Sequence, residues 1–108
     1  MILEIAEFKI STDRAADFEA AMDELKTVIG SSPGYLGHTI QHSFETPERY
    51  VLLVRWASLE AHETGFRGSP AFESWKTRLG AHRNGAVVEH FNTVLEHEWA
   101  FSAVSPAD

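Results

Sequence analysis

Histidine is the side chain of this sequence best suited to accept a proton near neutral pH, because its ordinary pKa lies in that range. The two candidates for a catalytic base are His90, central in the last predicted strand, and His38, on an earlier one. Glu89 precedes His90, but neighbours in a strand point to opposite faces, so the two do not form a pair. A structural role, at a solvated edge or a subunit interface, is the alternative for both histidines.

The spacing of the histidines predicts no metal site. His38 and His42 would lie about 13 Å apart along an extended strand, too far to share one ion. His62 has no second ligand one helical turn before or after it, so it lacks the pairing of a helical zinc motif and is expected in solvent. His82 and His97 have no evident partner and are expected at the surface.

Large aromatic side chains near the predicted helices could wall a slot for a flat ligand. They are Trp56, Phe66, Phe72 and Trp75. At helical spacing such residues more often form a packed core, which is the alternative.

Three charged residues complete the candidates. Arg67 and Arg55 could clamp an acidic or phenolate group, although Arg55 is also placed to form an ion pair across a subunit interface. Glu7 lies among apolar neighbours in the first predicted strand. If buried, its pKa would rise and make it a possible base, whereas an edge location would leave it an ordinary surface carboxylate.

Composition excludes several classes of protein. A chain of 108 residues is one domain, and a net charge of −7 without a basic stripe disfavours nucleic-acid binding. The absence of cysteine excludes disulfides, thiolate metal sites and thiol nucleophiles, and it fits a reducing compartment. No apolar run approaches the ~20 residues that cross a bilayer, and residues 1–4 do not begin a signal peptide. We therefore expect a cytoplasmic protein with no membrane contact.

Hydrophobic periodicity predicts the order β-α-β-β-α-β in a single domain, residues 1–101, with a flexible tail at 102–108. Period-two patterns predict strands at residues 2–10, 35–44, 50–56 and 87–101. Helical patterns predict one helix from residue 12 or 13 to 30, and a second region at 58–79 that breaks at Gly68 and restarts at Pro70. Residues 80–85 are expected to form a loop. This order is that of the α+β ferredoxin-like fold, a four-stranded antiparallel sheet with both helices on one face.

The other face of this sheet is also apolar. In the third strand, Val51 and Leu53 alternate with Leu52 and Val54, whereas a half-solvated sheet alternates apolar with polar residues. Exposing some eight such side chains would forgo on the order of 10 kcal/mol. The pattern therefore predicts a homodimer in which two sheets stack face to face.

Several segments together resemble the antibiotic biosynthesis monooxygenase family. They are GYLGH at 34–38, RYVLLVRWASLEAH at 49–62, GFRGSPAFESW at 65–75 and VEHF at 88–91. The resemblance covers nearly the whole chain in order and spacing. It implies a dimeric α+β barrel with a pocket between each sheet and its own helices.

Cofactor-free oxygenases of this family act on reduced aromatics such as anthrones and quinols, whose deprotonated form passes an electron to dioxygen. The resemblance therefore implies a monooxygenase of a small aromatic substrate that needs no cofactor, with His90 or His38 as base. The substrate-binding residues would be Trp56, Phe66, Arg67, Phe72 and Trp75. A non-catalytic dimer that binds a hydrophobic small molecule, and a cofactor-free isomerase, are the alternatives.

The haem-degrading branch of the same fold uses an asparagine, a tryptophan and a histidine. Glu7, Phe66 and Lys76 stand at those places in this sequence. Lysine is not expected to serve as an axial haem ligand at neutral pH, and glutamate is a poor substitute for the asparagine donor. The sequence therefore argues against haem.

Overall fold

Four strands and two main helices follow one another in the predicted order. The computed structural model describes residues 1–83 and 86–98. The strands are β1 (Ile2–Lys9), β2 (Tyr35–His42), β3 (Arg49–Trp56) and β4 (Val87–Asn92). The main helices are α1 (Ala15–Gly30) and α2 (Pro70–Leu79). Shorter helical turns lie at Thr12–Arg14, Ala61–Phe66 and Gly80–Arg83. The predicted tail at 102–108 falls outside the described residues.

The strands form one antiparallel sheet in the order β2-β3-β1-β4. The two central strands, β1 and β3, are therefore hydrogen-bonded to a neighbouring strand on both sides. The helices pack on one face of the sheet. This is the α+β ferredoxin-like fold, as predicted.

Helix α1 packs on the sheet through one apolar stripe. The buried residues of that stripe are Phe18, Ala21, Met22, Leu25 and Ile29. Their three- and four-residue spacing places them on one side of the helix. The Phe18 ring lies 5.3 Å from that of Phe8 on β1 and 4.9 Å from that of Tyr50 on β3, which fixes the helix over the centre of the sheet.

The turn from α1 into β2 brings the chain against the second helical region. Gly34 has φ +85°, a conformation that other residues rarely adopt. A Cβ atom at Gly34 would lie 2.6 Å from the Cβ of Ala61. A larger residue would therefore push the segment at Ala61 away from the sheet.

The second helical region is broken, as predicted, but its first part is a π-helix rather than an α-helix. The Ser58 hydroxyl accepts a hydrogen bond from the Ala61 amide, and the Arg67 amide donates to the His62 carbonyl five residues earlier. We call Ala61–Phe66 the π-segment. Ser69 and Pro70 then start α2. Single-turn π-helices are rare and are frequent at functional sites.

Two predicted boundaries were wrong. The last strand ends at Asn92 rather than continuing through the described residues that follow. Asn92 pairs with Ile2, where β1 begins, and β1 offers only one more backbone contact beyond that pair, from the Thr93 amide to the Met1 carbonyl. Val94 and Leu95 consequently lie 93% and 83% exposed. Residues 80–83, expected as loop, form a 3-10 turn directly after α2.

The face of the sheet turned away from the helices carries apolar side chains on its three consecutive strands β3, β1 and β4. We call this surface the outer sheet face; its apolar members are Leu3, Ile5, Val51, Leu53, Val87 and Phe91. The helix-facing neighbours Tyr50, Leu52 and Val54 are almost wholly buried. The predicted two-sided apolar pattern is therefore present.

In the described part of the chain, no helix combines the length and apolarity needed to cross a membrane.

Candidate functional site

A run of polar side chains, buried except for the partly exposed His90, lies between the sheet and the π-segment. The Trp56 indole N–H donates to Glu4 Oε1 at 2.9 Å. Glu4 Oε1 lies 3.4 Å from His62 Nε2, and His62 Nδ1 lies 2.6 Å from His90 Nε2. We call Glu4, His62 and His90 the carboxylate–histidine cluster. Because these residues come from distant parts of the sequence, only the folded chain assembles it.

The sheet register determines which side chains meet. Glu4 on β1 is paired with His90 on β4, so both point to the helix-covered face. Trp56 at the end of β3 points to the same face. His62 reaches the cluster from the π-segment. Its ring stacks on that of Trp56, with 5.2 Å between the two centroids. The π-segment thus closes over the donors that the sheet presents.

Burial governs the charge of the cluster. Glu4 is 6% exposed, and burial raises its pKa, although the Trp56 hydrogen bond and the electrostatic interactions with His90 and Arg67 act in the opposite direction. Burial also lowers the pKa of His62 to about 4, with further contributions from Arg67 and His90. His62 is therefore neutral at pH 7, and one of its ring nitrogens donates while the other accepts.

The two contacts of His62 differ in strength. The 2.6 Å contact to His90 is a short hydrogen bond, whereas 3.4 Å to Glu4 is longer than usual for one. The charge interactions of Glu4 are with His90 and Arg67, and both lower its pKa against the larger effect of burial.

A small cavity of about 50 Å³ adjoins the cluster. Its walls include Glu4, His62, Phe66, Arg67, Phe72 and Trp75. The aromatic rings of the wall meet edge to face, at 5.4 Å for Phe66 and Phe72 and 5.7 Å for Phe66 and Trp75. Such a volume holds about one or two molecules of the size of water.

The second predicted base lies elsewhere. His38 and His42 line an open groove of about 420 Å³ between α1 and β2, which we call the β2 groove. His38 Nδ1 is hydrogen-bonded to the Tyr35 hydroxyl at 2.5 Å, and burial lowers the pKa of His38. The structure therefore separates His38 from His90. His90 contacts His62, which lines the cavity together with Phe66, Arg67, Phe72 and Trp75, whereas His90 and Trp56 are not among the lining residues.

Two of the charged candidates, Glu7 and Arg55, form ion pairs within the chain. Glu7 lies on the outer sheet face, where its half-exposed carboxylate forms an ion pair with Arg49 at 3.0 Å. Of the two alternatives for Glu7, burial with a raised pKa does not hold, because strand alternation turns the side chain away from the helices. Glu7 is a surface carboxylate, although on a central strand rather than at an edge. Arg55 forms an ion pair with Glu96 of the same chain at 2.6 Å.

Two histidines expected at the surface are buried. His62 is 3% exposed and belongs to the cluster, and His82 is 6% exposed, with its Nε2 atom 2.9 Å from Asp17 Oδ2. The prediction failed because the partners, Glu4 and Asp17, lie far away in sequence. His97 is exposed and lies next to Glu98, as its surface prediction requires.

Glu4 was not among the sequence candidates. A signal for it existed, since Glu4 shares the period-two phase of Ala6 and Phe8, which are both buried on the helix-facing side of β1. A carboxylate in that phase must be buried once the strand is placed. His62 had a comparable signal, because it precedes the buried Phe66 by one helical turn.

Residues 1–78 match the sequence profile of a family described as antibiotic biosynthesis monooxygenase. The chain belongs to this family. An uncharacterized Bacillus subtilis protein, YczJ, is 36% identical over 97 residues, which cover 87% of this chain and all of that protein. Membership in the family confirms the predicted resemblance.

Solved structures share the fold. A candidate antibiotic biosynthesis monooxygenase from Bordetella bronchiseptica is 33% identical, with a TM-score of 0.81 over 87% of this chain and 97% of that one. A mutant of SnoaB, a cofactor-independent oxygenase from Streptomyces nogalater, is 20% identical, with a TM-score of 0.70 over 88% and 94% of the two chains. At that identity the second likeness supports the fold alone.

Proposed function

We propose that this protein is a cofactor-independent monooxygenase that oxidises a small quinol- or anthrone-like aromatic at the carboxylate–histidine cluster. The observation that carries the proposal is the buried run of carboxylate, imidazole and imidazole beside an aromatic-lined cavity. It lies between the sheet and its own helices. Family membership and the fold shared with an oxygenase add support.

In this mechanism His90 is the base. It takes a proton from the substrate, and the resulting anion passes an electron to dioxygen. For a quinol, one ring C–H becomes C–OH and the ring is oxidised to the quinone, so that quinol and dioxygen give a hydroxyquinone and water. For an anthrone, the reacting methylene becomes a carbonyl. In both cases one oxygen atom enters the product, and the other leaves as water with two hydrogens from the substrate.

The neighbours of His90 hold its ring in position. Neutral His62 can accept a hydrogen bond from the His90 ring, and Glu4 lies on the other side of His62. Arg67, on the cavity wall, is placed to stabilise the phenolate that develops on the substrate.

The cavity volume bears on the size of the substrate. About 50 Å³ is well below the ~300 Å³ of ordinary ligand sites. Binding therefore requires wall side chains to move, and Phe72 is only partly buried. A single-ring quinol requires less movement than a tricyclic anthrone, so we favour the quinol.

The proposed assembly is a homodimer joined through the outer sheet face. Ion pairs Glu7–Arg49 and Arg55–Glu96 lie toward the two ends of this face, and Leu53 lies between them. A second copy would cover the apolar centre with an identical surface. We also propose a cytoplasmic location, which the lack of cysteine fits.

A second candidate function is binding of a hydrophobic molecule without turnover. The small cavity at the cluster favours it, since a nearly filled core leaves little room for a substrate. The larger β2 groove would then be the binding site.

Oxygen uptake with a panel of hydroquinones and anthrones tests the proposal. We expect oxygen uptake with at least one quinol in air. Under nitrogen, no product should form from that quinol. Product formation that continues under nitrogen would indicate an isomerase. A compound that raises the melting temperature while no member of the panel consumes oxygen would support the binding function instead.

A further inference from the structure

The carboxylate–histidine cluster also has the composition of a metal centre. One ligand atom from each of Glu4, His62 and His90 can be chosen so that all lie within 4.8 Å of one another. Two imidazoles and one carboxylate with open positions are the ligand set of mononuclear iron sites and of several zinc sites. We propose that this cluster binds one divalent first-row transition-metal ion per chain.

The distances are close to those that such an ion requires. With metal–ligand bonds of about 2.1 Å, donor atoms of neighbouring ligands lie about 3.0–3.4 Å apart. Glu4 Oε1 and His62 Nε2 are already 3.4 Å apart. His90 has to turn toward them, and it has the freedom to do so, because it is partly exposed on the edge strand β4.

The surroundings of the donors resemble the outer shell of a metal site. The Trp56 indole N–H holds the Glu4 carboxylate in place, and residues that orient ligands in this way increase metal affinity. Glu4 and His62 are both almost completely buried, so water competes poorly for their lone pairs. The 50 Å³ cavity leaves room beside them for one or two small exogenous ligands.

Charge determines which ligand would complete the site. Arg67 lies close enough to influence both Glu4 and His62, so its positive charge opposes a bound cation. Together, a divalent ion, one carboxylate and one guanidinium carry a net charge of +2. An anionic small ligand in the open position would offset that charge.

This inference does not rest on the oxygenase proposal. A metal ion and a substrate proton compete for the same donors, so the metal-loaded protein and the metal-free oxygenase exclude one another. The binding test below needs no enzyme activity, so failure of one proposal leaves the other intact.

Tag-free protein stripped with a chelator is titrated with Co²⁺ or Zn²⁺ alone, followed by calorimetry and by the visible absorption of Co²⁺. We expect one ion per chain and an affinity that falls at least about tenfold in His90→Ala and in His62→Gln. The control is His97→Ala, an exposed histidine remote from the cluster, which should bind within about twofold of wild type.

The proposal is overturned if the wild type shows no saturable binding, or if His90→Ala binds as tightly as wild type. Because His62→Gln alters a buried residue and can impair folding, His90→Ala on the edge strand decides the outcome. Circular dichroism of both variants shows whether a lost site reflects a lost fold.

Discussion

Glu4 and His90 face each other across the β1–β4 register, and their side chains meet through His62, which the π-segment supplies. This relationship joins a carboxylate near the start of the chain to an imidazole near its end. The sheet alone would place the pair side by side. The π-segment converts the pair into a buried cluster with aromatic walls.

Glu4→Gln tests the role of the buried charge. The glutamine oxygen can still accept the Trp56 hydrogen bond, but the stabilising charge behind His62 is lost. We expect turnover of the active quinol to fall about tenfold, with the melting temperature unchanged or raised, because a buried charge is removed. Glu7→Gln, on the same strand but the outer sheet face, is the control and should keep near wild-type turnover. Equal turnover in both variants would remove Glu4 from the mechanism.

Trp56→Phe tests the hydrogen bond that holds Glu4. The substitution deletes the N–H donor and leaves a buried carboxylate oxygen without it, at a residue that is 0% exposed. Urea unfolding should show a loss of about 1–3 kcal/mol from the unpaired acceptor, with a further loss from the cavity. Trp75→Phe, which loses ring volume against Phe66, should be destabilised less. A larger loss in Trp75→Phe would show that packing dominates.

Leu53→Lys tests the proposed dimer. The new charge would lie at the centre of the outer sheet face, where stacking of a second copy would bury it. Sedimentation should find wild type dimeric at micromolar concentration and the variant folded but monomeric. Phe44→Lys changes a 98% exposed apolar residue in the β2–β3 turn and should remain dimeric. A stably folded wild-type monomer would contradict the dimer.

The contact between Asp17 and His82 predicts a pH dependence of stability. The hydrogen bond from His82 is the largest influence on Asp17 and lowers the pKa of its carboxyl below 3.8. A carboxyl with a depressed folded-state pKa contributes stability above its unfolded-state pKa, and loses that contribution as the pH falls through the folded-state value. Asp17→Asn should therefore cost more stability at pH 6 than at pH 2.5, measured by urea unfolding.

Asp23→Asn is the matched control for Asp17→Asn, since Asp23 lies on the same helix and forms an exposed ion pair with Lys26. Its effect on unfolding should vary little between the two pH values. An Asp17→Asn effect that does not change with pH would show that the ionised Asp17 carboxylate, with its contacts to His82 and Arg78, adds no net stability.

The fold was predictable from sequence because its signals are local. The stripe on α1 and the break before Pro70 are both read within a few residues, and both are present. The end of β4 could not be predicted in this way, because it depends on where β1 begins, some 90 residues earlier in the sequence.

The candidate site was predictable only in part for the same reason. Residue type made His90 and the aromatic residues candidates, but their contacts with Glu4 and His62 depend on strand register and on the π-segment. The only local signal for such residues is a carboxylate or histidine at a position where the periodicity predicts an apolar, buried side chain. This signal predicts burial but does not identify the partner.

Oxygen uptake by wild type, His90→Ala and His38→Ala, with one quinol that the wild type consumes, shows whether His90 is the catalytic base. His90 lies in the cluster, whereas His38 lies in the β2 groove. We predict a loss of about 100-fold or more in His90→Ala and near wild-type uptake in His38→Ala. Full activity in His90→Ala, or a loss confined to His38→Ala, would show that His90 is not the base.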